Sequence, residues 1–291
     1  MRSGFVAVVG RPNVGKSTLV NAIVGQKVSI VTNKPQTTRG RIRGVLTTDE
    51  YQLVLTDTPG FHKPRTILGE RLNRMVVEST EDVDAVVLVV DAAAGVGRGD
   101  AYVAEARVKP VRTLKVCVVN KVDRLSRDQV IIQLDAAAGL ADFDHVFPVS
   151  ARTGGGVAEL VRVLAGTMPE GPLHFPAGEV TDQPVELRVA EVVREKALAV
   201  TREEIPHSIA VQVESMERQD DLTRIEAWIL LERESQKGIV IGKGGSMLKG
   251  VGMEARKELV GLLGTRVFLE LRVKVLREWQ RDPIALTGLG Y

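Results

Sequence analysis

The sequence predicts an α/β protein whose first half is a doubly wound, mainly parallel sheet, followed by a smaller α+β domain. Three observations carry this expectation. Short β-branched runs alternate with helix-length segments through the first half, a glycine-rich turn joins the first strand to the first helix, and a Pro- and Gly-rich stretch precedes a region with a different element order. The strands are expected at Phe5–Val9, Arg41–Leu46, Gln52–Thr56, Ala85–Val90, Leu114–Val119 and Val146–Val149. Segments such as Leu68–Glu81 and Arg127–Ala138 have helix length and lie between most of them, which implies right-handed crossovers and parallel pairing. The last helix of this half carries Val157, Leu160, Val161 and Leu164, the spacing of one buried helix face.

From Met168 onward that pattern cannot continue, because Pro169, Pro172, Pro176 and Pro184 fall among glycines and polar residues. The expected organisation is a domain over 1–167, a linker over 168–183 and a second domain over 184–291. The second is expected to hold a helix around Pro184–Val200, strands near Ser208–Glu214 and Arg224–Leu231, a helical stretch about 236–263 broken by glycines, a strand Arg266–Val275 and a closing helix. No internal repeat or low-complexity tract is present.

Composition narrows the class. The 291 residues are 44% hydrophobic and 26% charged, as in a globular protein long enough for one large and one smaller domain. A single cysteine, Cys117, sits in the apolar run Val116–Val119, so disulfide frameworks and cysteine-rich metal sites are excluded and a reducing compartment fits. Without a charged-then-apolar leader or an apolar run of membrane-spanning length, the expected location is the cytoplasm. The net charge of +2 hides an uneven distribution. Residues 168–234 carry 7 basic and 15 acidic side chains, whereas 235–277 carry 9 and 3.

Gly10-Arg11-Pro12-Asn13-Val14-Gly15-Lys16-Ser17 is a phosphate-loop pattern in the required place, after a buried strand and before a helix. Glycines let backbone N–H groups and the helix N-terminus approach an anion closely. Lys16 is expected to reach β- and γ-phosphates and the Ser17 hydroxyl to hold Mg²⁺. Asp57-Thr58-Pro59-Gly60 ends the third strand on the same sheet edge, placing the Asp57 carboxylate to bind Mg²⁺ through water and the Gly60 amide to contact the γ-phosphate. In Gln36-Thr37-Thr38-Arg39, between Pro35 and Gly40, a hydroxyl is placed to complete the Mg²⁺ shell, with Thr38 favoured over Thr37. Lys16, Thr38 and Gly60 are thus the expected catalytic residues.

Asn120-Lys121-Val122-Asp123 ends the fifth strand and selects the base. The Asp123 carboxylate can accept from guanine N1–H and N2–H₂, which adenine lacks, and an unpaired acceptor there penalises the wrong nucleotide. Asn120 is expected to buttress the loop, the Lys121 stem to cover the ring, and the Ser150-Ala151 backbone to reach guanine O6. The implied ligands are GTP and GDP with Mg²⁺. Phe61 occupies the place where Ras-like GTPases carry the glutamine that orients the attacking water, so slow intrinsic turnover is expected.

In the second domain, Gly242-Lys243-Gly244-Gly245 fits the GxxG loop that clamps about four nucleotides in KH domains. Ile239, Val240 and Ile241 are expected to form an apolar floor for bases, and Lys243, Lys249, Arg256 and Lys257 to attract phosphates. With the acid-to-base charge switch and the strand–strand–helix–helix–strand order of a type II KH fold, the segment points to single-stranded RNA. Trp279 is open to two roles, packing against the domain or stacking on RNA.

Taken together these residues resemble the translation-factor-related GTPases, in particular the bacterial Era family, which joins a P-loop GTPase domain to a C-terminal type II KH domain. The likeness extends to Gln36–Arg39, Thr181-Asp182, Ile205-Pro206 and Leu289-Gly290-Tyr291. It implies a monomeric partner of the 16S ribosomal RNA 3′ region and of small-subunit assembly, with no DNA ligand and a peripheral contact with the inner membrane surface. It also implies a hydrophobic residue at the Phe61 position. Asn13 matches the phosphate-loop asparagine that binds K⁺ in related GTPases.

Overall fold

Ala85–Val90 has no polar side chain and no alternation, as expected of a strand covered on both faces. In the structure, a computed structural model, it lies inside a six-stranded sheet. Residues 1–34, 36–64, 66–201 and 208–291 are described; Pro35 and the Ile205-Pro206 pair cited above fall outside them. The strands are β1 (Arg2–Val9), β2 (Ile42–Thr47), β3 (Tyr51–Asp57), β4 (Ala85–Asp91), β5 (Leu114–Asn120) and β6 (His145–Val149). Their order is β2-β3-β1-β4-β5-β6, with only β2 antiparallel to its neighbour. Because β3 and β4 flank β1 on opposite sides, the strand order reverses at the end of β1. A ligand crevice forms at such a point, outside the carboxyl ends of the strands.

Helices α1 (Lys16–Val24), α2 (Ile67–Glu78), α3 (Arg98–Val103), α4 (Arg127–Ala138) and α5 (Val157–Thr167) cover the sheet. Alternation along β1 divides the core: Val6 and Val8 pack with Leu19 of α1 and Leu160 of α5. Ala7 and Val9 face the other way, with Phe61, Val76, Val103 and Cys117. Burial pushes the Cys117 thiol up to about 12, aided by nearby Asp100, so it is a packing residue. Helix α3 is absent from the sequence expectation. It has one and a half turns before a π turn at Ala104–Val108 changes its period.

The expected linker lies along the first unit as far as Asp182, where the chain divides into two compact units, residues 66–68 grouping with the second. Prolines stop helix α5 but leave an extended segment that can satisfy strand donors. Ser3 N–H donates to Pro169 O (2.9 Å) and Val45 N–H to Val180 O (2.9 Å), covering the edge strand β2. Arg43 pairs with Asp182 at 3.0 Å. The fully buried Gln52 fastens the centre: its Oε1 accepts from the amides of His174 (2.8 Å) and Phe175 (3.0 Å), and its Nε2 donates to Phe175 O (2.9 Å).

The second unit has α6 (Val185–Val200), β7 (Ala210–Gln219), β8 (Leu222–Leu231), α7 (Glu234–Ile241), α8 (Ser246–Leu263), β9 (Arg266–Val275) and α9 (Pro283–Gly288). Strands β7 and β8 are antiparallel, and β8 and β9 parallel. Ile225, Ala227 and Ile229 of β8 face a core shared with Val193 of α6 and Ala255 of α8, while Arg224 and Glu226 point outward. Trp279 is fully buried and donates its indole N–H to Ser208 O (3.1 Å), which decides its two readings in favour of packing.

Gln52→Ala would leave the backbone donors of His174 and Phe175 without their acceptor. We expect a loss of about 1–3 kcal/mol in urea unfolding of the first unit.

Candidate functional site

The end of β1 opens into a cavity of about 410 Å³, within the range of small-ligand pockets. The loop beneath it requires glycine at position 15, where φ is +99° and a Cβ would sit 2.3 Å from Asn120 Nδ2. Lys16, the first residue of α1, is buried and donates from Nζ to Gly10 O (3.1 Å) and Arg11 O (2.9 Å). Burial pulls its ammonium down to about 8, against the attraction of Asp57. Pro12, Asn13, Gly15, Lys16 and Ser17 line the cavity. Gly10, Arg11 and Val14 support it from outside: Arg11 turns away to pair with buried Asp100 at 2.7 Å, and Val14 packs in the core.

Three oxygen-bearing side chains converge below the cavity. Ser17 Oγ lies 3.0 Å from Thr38 Oγ1, which donates to Asp57 Oδ2 at 3.4 Å. Asp57 is fully buried and its Oδ1 has no hydrogen-bond partner. Burial raises the pKa of its carboxyl, opposed by Lys16 and by the hydroxyls of Ser17, Ser29 and Thr38. A lone buried carboxylate oxygen beside two hydroxyls is a hard-oxygen donor set suited to Mg²⁺. Thr37 is engaged elsewhere, with Thr32 Oγ1 (2.6 Å) and Lys34 O (2.7 Å). Thr58 points into the sheet, donating to Val8 O at 2.7 Å; Thr58 and Pro59 do not line the cavity, and Gly60 does.

At the other end, Asn120 joins three segments. Its Nδ2 donates to Val14 O (2.9 Å) and its Oδ1 accepts from Ala151 N–H (3.0 Å). The Ala151 amide, expected on the base oxygen, is thus committed to Asn120. Lys121 adopts the left-handed conformation and reaches Asn13 O (2.7 Å) and Asp91 Oδ2 (2.5 Å). Ser150 does not line the cavity; its hydroxyl donates to Asp123 Oδ1 (2.7 Å), and that hydrogen bond is the main reason the pKa of this carboxyl is lowered. Phe61 is buried against Tyr102 (ring centroids 5.4 Å apart) and under the Arg107 guanidinium (5.0 Å). Its ring therefore faces the core and not the cavity.

In the second unit, a single turn at Lys243–Gly245 joins α7 to α8. Gly242 has φ +74°, and a Cβ there would lie 2.9 Å from the Met247 backbone nitrogen. Beside this turn a groove of about 550 Å³ runs between α8 and β9, lined by Gly245, Lys249 and Arg256 among the expected residues. Val240 is a correction: it is fully buried in the core and has no surface to offer a base. Ile239 is 54% exposed and Ile241 partly so, but neither lines the groove. Lys257 lies off the groove and pairs with Glu254 at 2.5 Å, while Lys243 and Gly244 are exposed on the turn. The groove's apolar wall comes from Leu248, Met253, Leu271 and Phe268. Sequence reasoning did not single them out, although alternation along β9 puts Phe268 on the face opposite Val267.

A phosphate loop, a hydroxyl–carboxylate cluster and a base-selective loop on one sheet edge define a P-loop GTPase, here joined to a type II KH domain. A family model described as a 50S ribosome-binding GTPase matches residues 5–121, and a KH domain model matches 204–280. The chain is 50% identical to GTPase Era of Mycobacterium sp. (strain KMS) over 295 aligned positions, covering 100% of this chain and 99% of the relative. It is 48% identical to GTPase Era of Mycobacterium bovis (strain BCG / Pasteur 1173P2), covering 99% and 98%. Two crystal structures each match with a TM-score of 0.97 and 38% identity over 100% of this chain and 99% of the other. One is Era in complex with MgGDPNP and nucleotides 1506–1542 of 16S ribosomal RNA; the other is an Aquifex aeolicus Era variant bound to GDP and aluminium fluoride. The chain belongs to the Era family of GTPases, enzymes that convert GTP and water to GDP and phosphate, and it carries the family's RNA-binding domain.

A guanine donor at Asp123, the contact expected from the sequence, would need the carboxylate ionised, and the lowered pKa favours that form. Affinity for GDP should be flat at neutral pH and fall as pH drops through the Asp123 pKa. Ser150→Ala removes the principal cause of the lowering, so the acid limb of a GDP titration should move to higher pH.

Proposed function

We propose that this chain is a GTP-driven switch that holds single-stranded RNA near the 3′ end of small-subunit ribosomal RNA during subunit assembly and releases it after hydrolysis. The observation that carries the reading is the 3.0 Å approach of Thr38 to Ser17 over buried Asp57. It brings the loop after α1 to the phosphate-loop hydroxyl, so a γ-phosphate can hold that loop and its loss can free it. Lys16 would contact the β- and γ-phosphates, the Gly60 amide the γ-phosphate, and Asp123 with Asn120 the guanine edge. Ser17, Thr38 and Asp57 would hold Mg²⁺, which when bound neutralises charge between the phosphates. The burial of Phe61 supports slow turnover, since no side chain at that place can orient water.

In the second unit, the GxxG turn would fix the sugar–phosphate chain, Lys249 and Arg256 would attract phosphates, and Phe268, 49% exposed with the Arg224 guanidinium 5.3 Å from its ring, would offer a stacking face. The relative solved with 16S ribosomal RNA supports the choice of RNA. Among the described residues no helix is long and apolar enough to cross a membrane, so the membrane contact that the family resemblance implies would be peripheral.

The test is the affinity for a single-stranded RNA of that region with GDP and with a non-hydrolysable GTP analogue. We expect tighter binding with the analogue, and equal affinities would remove nucleotide control. A salt series should give a steep slope that Lys249→Ala or Arg256→Ala each reduces by about 0.7.

Asn13 supports a role for K⁺: it lines the cavity, with its amide nitrogen turned to Asn33 O (3.3 Å) of the loop that bears Thr38. Hydrolysis should then be faster in K⁺ than in Na⁺ at equal ionic strength. Equal rates would eliminate K⁺.

A further inference from the structure

With Phe61 packed in the core, the polar work in the loop after β3 falls to its neighbour. His62 lies between the two loops that flank the phosphate end of the cavity. Its Nε2 is 2.7 Å from Gln36 Nε2, and its Nδ1 is 3.0 Å from Gly60 O. An amide nitrogen carries only protons, so Gln36 donates and His62 Nε2 accepts. The remaining proton therefore sits on Nδ1 and is donated to Gly60 O.

The peptide that His62 grips is held from both ends. Its carbonyl belongs to Gly60, and its N–H, from Phe61, donates to Gly10 O at 3.2 Å in the phosphate loop. Asn73 of α2 donates to the His62 carbonyl at 2.7 Å, fixing the backbone that carries the ring. Gln36 and Gly60 both line the cavity, whereas His62 stands behind them. Gln36 itself has φ +57°, uncommon for a residue with a side chain, so its placement depends on such a partner.

We infer that His62 is a positioning residue for GTP hydrolysis: its ring clamps the Gly60–Phe61 peptide and ties it to Gln36, holding the two loops in one arrangement at the γ-phosphate end. The inference rests on the proposed nucleotide site. It assigns no contact between His62 and the reacting atoms. The clamp gives order to a segment that a hydrophobic residue at position 61 can anchor but cannot align.

Single-turnover GTP hydrolysis and GDP affinity, measured for the same variants, test this. His62→Ala and Gln36→Ala should each slow hydrolysis by about 2- to 10-fold, the range of one or two lost hydrogen bonds, with GDP affinity and melting temperature unchanged. His62→Asn keeps a donor near the Nδ1 position but no acceptor for Gln36. It should behave like Gln36→Ala, and adding Gln36→Ala to it should slow hydrolysis no further. Lys16→Ala controls for the site: an inactive wild type would fail the nucleotide reading itself. Active wild type with unaltered hydrolysis in His62→Ala, or fully multiplicative effects of His62→Asn and Gln36→Ala, would overturn the clamp.

Discussion

The first unit is organised around two buried ionisable groups whose charged forms burial disfavours. Desolvation pulls the Lys16 ammonium down to about 8 and raises the pKa of the Asp57 carboxyl, although each attracts the other. Backbone carbonyls of Gly10 and Arg11 satisfy the lysine, but one Asp57 oxygen has no donor at all. Burying ions in this way is destabilising unless counter-charges arrive. In the proposed reading, phosphates would supply them to Lys16 and a divalent cation to Asp57, so the same desolvation that weakens the site alone would favour the magnesium–nucleotide pair over either part.

Those charges can be buried only because the sheet order brings several strand ends together. Strand β1 delivers the phosphate loop, β3 delivers Asp57, and β5 delivers Asn120 to one edge. Asn120 then bonds Val14 O and the Ala151 amide, linking the loops after β1, β5 and β6 through one side chain. Its Nδ2 occupies the space a Cβ at position 15 would need, so the glycine in the phosphate loop is required by the base-binding loop as much as by the phosphates.

The nucleotide motifs were legible because each follows a strand whose apolar run is unmistakable, and a loop at the end of such a strand has a place fixed by topology. Thr38 was separable from Thr37 only as a preference; in space, Thr37 is spent on Thr32 and Lys34. The segment after α5 read as a linker because prolines forbid helix. They do not forbid an extended strip hydrogen-bonded to an edge strand, and nothing local in the sequence names Gln52 as its fastener. Likewise Val240 and Phe268 are both apolar residues in apolar surroundings. Only tertiary packing determines that the first is enclosed between helices and strands while the second faces out beside α8.

Two demands meet in the loop after β3, and consecutive residues divide them. Phe61 anchors it by burial against Tyr102 and Arg107, contacts that arise because α3 runs into a π turn and presents both side chains to the same ring. Arg11 of the phosphate loop pairs with Asp100 on α3 itself, so the helix carries the phosphate loop and the switch loop on a single support. An apolar anchor gives tenacity without direction, because hydrophobic contact has no preferred angle. Direction comes from hydrogen bonds, which weaken steeply when misaligned. Placing the anchor at the position that polar glutamine fills in Ras-like GTPases holds the loop at the expense of water orientation. On the proposed reading the result would be a slow timer, the property a switch needs when its release must wait for a slower event on the bound RNA.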